Sequence, residues 1–183
     1  MKPDNPNNNG NISNGVNKNP EPQEIKLSPC LPVLNIKTLM VAIDFSDSSK
    51  IALRYAAALA HKFQARLILV HVVEFSLVGS ELGALELAQI QSGLEEEANK
   101  QIQNLVADEL PSEIESQTVI RTGKPYSEIV HAAEEFKVDL LIIATHGHST
   151  LTKMLLGSTA ERVVRHANCP VLIIPRSKQD IVL

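Results

Sequence analysis

The sequence predicts an α/β protein with a doubly wound, five-stranded parallel sheet, helices on both faces and the Rossmann-like strand order 3-2-1-4-5. From Ile36 onward, short apolar runs alternate with segments of helical periodicity, which is typical of successive βαβ units. Continuous apolar runs also indicate strands that are covered on both faces. We therefore expect one globular domain at 35–177, after an Asn- and Pro-rich tail at 1–34 and before a short tail at 178–183. The composition of the first tail predicts disorder.

The first two strands are the clearest. The continuous apolar run Thr38 to Ile43 predicts strand one, and Ser46 to Ser49 supplies capping residues for the helix that follows it. Arg66 to Val73 predicts a second strand that is buried on both faces. The next helix is indicated by apolar residues at helical spacing from Leu94 to Leu105, and Ser92-x-x-Glu95 resembles a capping box at its start.

The second half repeats the pattern. Gln117 to Arg121 predicts strand three, and Pro125 then stands where the first turn of a helix tolerates proline. Val138 to Ile143 predicts strand four. Ser158 to Glu161 has the form of a capping box that would open the last helix. Pro170 to Pro175 predicts an edge strand bracketed by prolines.

Charge and cysteine content argue against several classes of protein. The net charge of −4 leaves no general basic field to hold nucleic acid or an anionic membrane. Cys30 and Cys169 form neither a C-x-x-C pair nor a disulfide framework, which favours a reducing cytoplasm. The sequence also lacks an apolar run long enough for a membrane span and the apolar core of a signal peptide. We expect a cytoplasmic protein.

A ligand site is expected where the strand order of the sheet reverses, outside the carboxyl ends of the strands. Three segments should meet there: Asp44 to Ser46 after strand one, His71-Val72 at the end of strand two, and the loop from Ala144 to Ser158. Small residues in that loop permit close approach of the backbone, and the helix that follows points amide groups at an anion. The pattern fits a phosphate.

The same loop carries a family motif. Ala144 to Gly147, nine further residues and Gly157-Ser158 resemble the G-x(2)-G-x(9)-G-[ST] motif of the nucleotide-binding members of the universal stress protein family. The likeness spans Ile36 to Pro175, with further matches at Ile43-Asp44-Phe45-Ser46, Leu69 to Val72, Gly123 to Pro125 and Thr159 to Val171. Ala144 departs from the motif, because the family has a glycine at this position.

The resemblance implies an ATP-binding regulatory module of the stress response. In it, Asp44 would bind the ribose or the adenine edge, and a magnesium ion bridging the phosphates would be compatible, although no side chain stands out as a metal ligand. The remaining implied contacts are the adenine walls Ala42, Ile43 and Val72, the nucleoside contacts Ile143 and Ala144, and the phosphate contacts Gly147, Gly157, Ser158 and Thr159.

Several residues also have purely structural interpretations. Asp44 and Ser158 could simply cap helices, and His71, at the end of an apolar strand, is interpreted as a satisfied core histidine outside the site. His146-Gly147-His148 has neither the spacing of a nucleotidyltransferase motif nor a third metal ligand at useful spacing. No Walker loop is present either. We expect no enzyme activity beyond slow ATP hydrolysis.

The resemblance further implies a homodimer that pairs the last strand through Val171, Leu172, Ile173 and Ile174. An apolar edge strand is consistent with this, since it would otherwise invite uncontrolled pairing. The alternative hypothesis is a nucleotide-free dimeric interaction scaffold of the same family, if Ala144 blocks the pocket. An ATP-consuming enzyme is a third possibility, for which the sequence offers no activated nucleophile.

Overall fold

The computed structural model describes residues 34–74, 83–145 and 156–175. Strands and helices alternate through these ranges, and each of the first four strands is followed by a helix, as the apolar periodicity predicts. In chain order the elements are β1 (Thr38–Ile43), α1 (Asp47–Phe63), β2 (Arg66–Val73), α2 (Ala84–Glu109), β3 (Ser116–Thr122), α3 (Pro125–Glu135), β4 (Leu140–Ala144), α4 (Ser158–His166) and β5 (Val171–Ile174).

The five strands form one parallel sheet in the order β3-β2-β1-β4-β5, so the predicted fold class is confirmed. The chain moves outward from β1 through β2 to β3 and then returns to the other side of β1 for β4 and β5. The order therefore reverses between β1 and β4. Ile43, the last residue of β1, lies opposite His71 on β2, and Val41 lies opposite Ile142 on β4. The carboxyl ends of the central strands consequently meet at one edge of the sheet.

Helices cover both faces of the sheet. On one face, α1 and α2 pack residues such as Leu53 and Ile102 against the side chains of Leu39 and Val41. On the other face, α3 and α4 bury residues such as Ala132 and Val163 against Met40 and Ile68. The central strands are apolar at most positions because both of their faces are covered by helices.

The start of β4 differs from the prediction. Val138 and Asp139 belong to the connection before the strand, and the strand continues to Ala144. The Asp139 carboxylate accepts hydrogen bonds from the N–H groups of Lys37 and Thr38, at 2.8 and 2.9 Å. An aspartate thus ties this connection to the start of β1, an interaction between segments distant in sequence.

Two predicted capping boxes are wrong. Ser92 lies inside α2, which begins at Ala84, where the Gly83 N–H donates to the Glu86 carboxylate. The predicted stripe starts at Leu94, which is itself 43% exposed, and the residues that α2 buries in the core, Ala98, Ile102 and Leu105, all lie in its second half. In α4, Gly157 occupies the N-cap position without a side-chain hydrogen bond, and Ser158 is the first helical residue. By contrast, Ser46 caps α1 as expected, since its Oγ accepts from the Ser49 N–H at 3.2 Å.

No helix within the described ranges combines the length and the apolar content needed to cross a membrane.

Candidate functional site

A cleft of about 560 Å³ lies at the carboxyl ends of β1, β2 and β4. Its volume falls within the range typical of small-molecule sites. The first turns of α3 and α4 and one side of α2 complete its walls. The cleft therefore occupies the place where the strand order reverses, as the topology predicts.

The cleft brings together most of the residues predicted for the site. Gly147 lies outside the described residues, as does the His146-Gly147-His148 segment. All the other predicted positions line the cleft: Ala42, Ile43, Asp44, Val72, Ile143, Ala144, Gly157, Ser158 and Thr159.

The turn after β1 holds Asp44 in a defined orientation. Its Oδ1 accepts hydrogen bonds from the Ser46 N–H at 3.1 Å and the Ser46 hydroxyl at 2.6 Å. Ser46 is the N-cap residue of α1, so Asp44 stabilises the capping residue and is not the cap itself. Phe45, between them, has a φ of 63°, a left-handed conformation that is unusual for an aromatic residue. The turn thus presents the Asp44 carboxylate to the cleft at some conformational cost.

His71 also lines the cleft, although the sequence interpretation set it aside. Its Nδ1 lies 2.8 Å from the Ile43 carbonyl oxygen, and its ring centroid lies 4.5 Å from that of Phe45. A carbonyl oxygen can only accept, so Nδ1 carries the proton and the neutral ring keeps an acceptor at Nε2. Burial lowers the pKa of His71 below its ordinary value, against the opposing effects of the Ile43 carbonyl and the Asp44 charge. Its position beside Val72 at a strand end was the signal that could have placed it in the site.

Helix α4 points its amino end into the cleft. The Gly157 N–H donates to the Thr145 carbonyl at 2.8 Å, so this amide is used within the fold. The Ser158 and Thr159 N–H groups belong to the first helical turn and have no acceptor within the helix. Together with the positive end of the helix dipole they form an arrangement suited to an anion.

Gly157 has a φ of −59°, which any residue adopts readily. Its conformation therefore does not require glycine. What glycine provides at this position is the space beside the cleft that a side chain would fill.

Ala144 is the last residue of β4 and lies opposite Ile174 on β5. It is 8% exposed and packs with the core cluster beneath α1. It is not among the residues with positive φ. The methyl group at this motif position is accommodated by an ordinary strand conformation.

The cleft lining combines two kinds of chemistry. Apolar side chains such as Val70, Val72, Ile129 and Ile143 contribute to it, and so does the first turn of α4. This combination suits a molecule with a flat apolar body and an anionic group. Among the described residues, no group of three or more histidine, cysteine or acidic side chains is arranged to hold a metal ion.

A doubly wound sheet with its cleft at the strand-order reversal defines an open-sheet α/β protein of the class that binds ligands at the carboxyl ends of its strands. Within that class, the chain belongs to the universal stress protein family, whose sequence model matches residues 35–175.

Individual relatives match most of this chain. Universal stress protein MJ0531 of Methanocaldococcus jannaschii is 35% identical over 148 residues, which cover 79% of this chain and 85% of the relative. The solved structure of protein MJ0577, from the same organism, has a TM-score of 0.67 at 30% identity and covers 79% of this chain and 99% of its own. A structure described as a universal stress protein in complex with cAMP has a TM-score of 0.52 at 29% identity, over 78% of this chain and 99% of its own.

Proposed function

We propose that the protein binds ATP in the cleft and acts as a homodimeric regulatory module of the stress response. The observation that carries the proposal is the convergence of Asp44, an apolar wall and the amino end of α4 on one cleft of about 560 Å³. An adenine ring, a ribose and a phosphate chain require these three environments in this combination.

The apolar wall is the proposed adenine site. Ala42, Val72 and Ile143 come from the ends of three adjacent strands, so they present a nearly continuous apolar surface. Burying the faces of a base against such a surface is favourable by roughly 25 cal/mol per Å² of apolar area removed from water. Asp44, oriented through Ser46, would accept a hydrogen bond from a ribose hydroxyl or from the adenine edge.

The first turn of α4 is the proposed phosphate site. The Ser158 and Thr159 amides and the Thr159 hydroxyl supply donors, and the helix dipole adds a favourable field. Gly157 leaves room at the helix end because it has no side chain. A magnesium ion would accompany the phosphates and reduce their net charge.

The relative described in complex with cAMP supports a nucleotide as the ligand. The ordinary backbone of Ala144 removes the main reason for favouring the nucleotide-free scaffold.

A regulatory role is favoured over rapid turnover. The sequence carries no Walker loop and no motif of an activated nucleophile. ATP occupancy would instead alter the surface that the dimer presents, with pairing through β5. The cysteine content favours the cytoplasm as the compartment for such a module.

The first experiment is identification of nucleotide released from the denatured, purified protein by absorbance and mass spectrometry. Calorimetric titration with ATP and magnesium, and separately with cAMP, then measures affinity directly. We expect ATP to bind. If neither nucleotide copurifies with the protein or binds to it, the nucleotide-free scaffold would be favoured instead.

The substitution Gly157→Asp tests the phosphate site. Aspartate is a preferred N-cap residue, so the fold should be retained or slightly stabilised, while its carboxylate would oppose a phosphate at the same helix end. Gly157→Asn is the matched control, because it has nearly the same shape without the charge. We expect Gly157→Asp to weaken ATP binding at least tenfold more than Gly157→Asn does. Equal ATP affinity in the two folded variants would mean that the phosphates lie elsewhere.

A further inference from the structure

The charged side chains of the described cleft lining are acidic. Asp44, Glu74 and Glu97 all line the cleft, and the described lining includes no lysine or arginine. A nucleoside triphosphate carries several negative charges, whereas a helix amino end contributes only about half of one positive charge. A cationic side chain near the first turn of α4 would therefore favour a triphosphate, in addition to any magnesium ion that accompanies the phosphates.

Arg162 is placed to supply it. It lies four residues after Ser158 on α4, so the two side chains are neighbours on one side of the helix. Helical side chains lean toward the amino end, which directs Arg162 back toward the cleft. The residue is exposed, and it forms no ion pair with any described residue. Arg165, by contrast, pairs with Glu161 at 2.9 Å.

A neighbouring helix holds this arginine in position. The Arg162 guanidinium carbon lies 5.0 Å from the centroid of the Tyr126 ring, a cation–π geometry. Tyr126 is the second residue of α3 and directly follows Pro125, which lines the cleft. The Tyr126 ring in turn lies 5.7 Å from the ring of His166. The guanidinium is therefore held beside Tyr126 in the first turn of α3, next in sequence to a residue of the cleft lining, and its donors are not used in an ion pair with any described residue.

We propose that Arg162, positioned by Tyr126, contacts the terminal phosphates of a bound nucleotide and gives the cleft its preference for nucleoside triphosphates over monophosphates. The inference rests on the proposed function. A planar guanidinium can donate two parallel hydrogen bonds to a phosphate, and such charge-assisted bonds are about twice as strong as neutral ones. Tyr126 is a positioning residue in this arrangement, since it acts through Arg162.

The test compares ATP and AMP in calorimetric titrations with magnesium, for the full-length protein and its Arg162→Gln and Arg165→Gln variants. Both substitutions remove one positive charge from α4, so they alter the general field alike. We expect Arg162→Gln to weaken ATP binding about tenfold and to leave AMP binding within about twofold of the unmodified protein. Arg165→Gln should change neither affinity by more than about twofold. Tyr126→Leu should weaken ATP binding by a smaller factor than Arg162→Gln, again without affecting AMP.

The outcomes separate the inference from the function on which it rests. If the unmodified protein binds neither nucleotide, the proposed function fails and the inference with it. If it binds both but Arg162→Gln weakens them equally, or Arg165→Gln has the same effect, the role of Arg162 is overturned while nucleotide binding stands. Thermal melts check that each variant is folded, and Arg162→Lys, which keeps the charge without the planar donors, should recover only part of the ATP affinity.

Discussion

Backbone conformation and hydrogen bonding, rather than residue type alone, decide the role of individual residues in the cleft. Ser46 caps α1 while Asp44, two residues earlier, supports that cap and faces the cleft. The Gly157 amide is used by the Thr145 carbonyl, which leaves the next amides of the helix for a ligand.

Ala144 stands where the family motif has its first glycine. Its strand backbone and its 8% exposure predict that Ala144→Gly gains nothing for binding. The variant should lose about 1 kcal/mol of unfolding free energy, because glycine gains freedom in the unfolded chain and a buried methyl group is removed. ATP affinity should stay within about twofold. Urea denaturation and calorimetric titration measure the two quantities. An increase of several-fold in ATP affinity would show that the methyl group crowds the ligand.

His71 predicts a pH dependence of stability. Burial lowers its pKa in the folded protein below the ordinary value of about 6.5, so the unfolded chain takes up this proton first as the pH falls. The contribution of neutral His71 to the unfolding free energy is therefore fully present well above pH 6.5 and decreases as the pH falls below it. We expect the unfolding free energy of His71→Asn, which keeps a donor for the Ile43 carbonyl, to fall less between pH 7.5 and 5.5 than that of the unmodified protein.

The exposed His131 provides the control for this measurement, since His131→Asn removes an imidazole that lies outside the cleft. A pH profile of His71→Asn that coincides with that of the unmodified protein would contradict the assignment. Denaturant titrations at three or four pH values are sufficient to distinguish the profiles.

At the scale of the elements, α2 is the helix whose length the sequence pattern underestimates. Its buried residues, Ala98, Ile102 and Leu105, all lie in its second half. Leu85 and Ile90, in the first half, are exposed. The first half is therefore stabilised by backbone hydrogen bonding and propensity more than by burial in the core, which makes it sensitive to helix-breaking residues.

Gly93 provides a direct test of that argument. It lies in the interior of α2, and a Cβ atom added to it would meet no described atom within 4 Å. Gly93→Ala should therefore raise the unfolding free energy by about 0.5 to 1 kcal/mol. Gly123→Ala is the contrasting variant, because Gly123 has a φ of 147° and its added Cβ would lie 3.1 Å from the Glu128 side chain. Chemical denaturation should give shifts of opposite sign, and destabilisation by Gly93→Ala would indicate that another group occupies this surface.

At the scale of the whole molecule, β5 is an edge strand of the sheet that the described residues form. The Pro170 and Ile174 carbonyls bond to β4, so the alternation of a strand directs the N–H and C=O groups of Val171 and Ile173 outward. A second copy of the chain can pair with these groups in the proposed dimer. An unpaired apolar edge would otherwise favour aggregation.

The proposed dimer predicts a mass of two chains in light scattering at micromolar concentration. Val171→Pro removes one outward N–H at the first residue of the strand, where proline is tolerated. It should raise the dimer dissociation constant at least fivefold, since a lost hydrogen bond costs about 1 kcal/mol. Ser116→Pro is the matched control at the first residue of the opposite edge strand, β3, and should leave the mass unchanged. A monomeric unmodified protein would rule out this interface.

The sequence by itself determined the elements of the sheet and the place of the cleft. β1 and β2 have the predicted bounds, because apolar runs covered on both faces leave an unambiguous local pattern. The strand-order reversal follows from the class of fold, and it brings the ends of β1, β2 and β4 together. Local patterns suffice for these features since they depend on which residues must be removed from water.

Only the tertiary structure decided how the functional side chains are oriented and which of their donors and acceptors are already used. The His71 ring is oriented by the Ile43 carbonyl, and the Arg162 guanidinium by the Tyr126 ring, through contacts between residues far apart in the sequence. The first half of α2 likewise buries no residue in the core, so the apolar pattern of the sequence does not indicate it as helix. Hydrogen bonding and ring packing depend on distances and angles between elements, which periodicity along one chain segment does not encode.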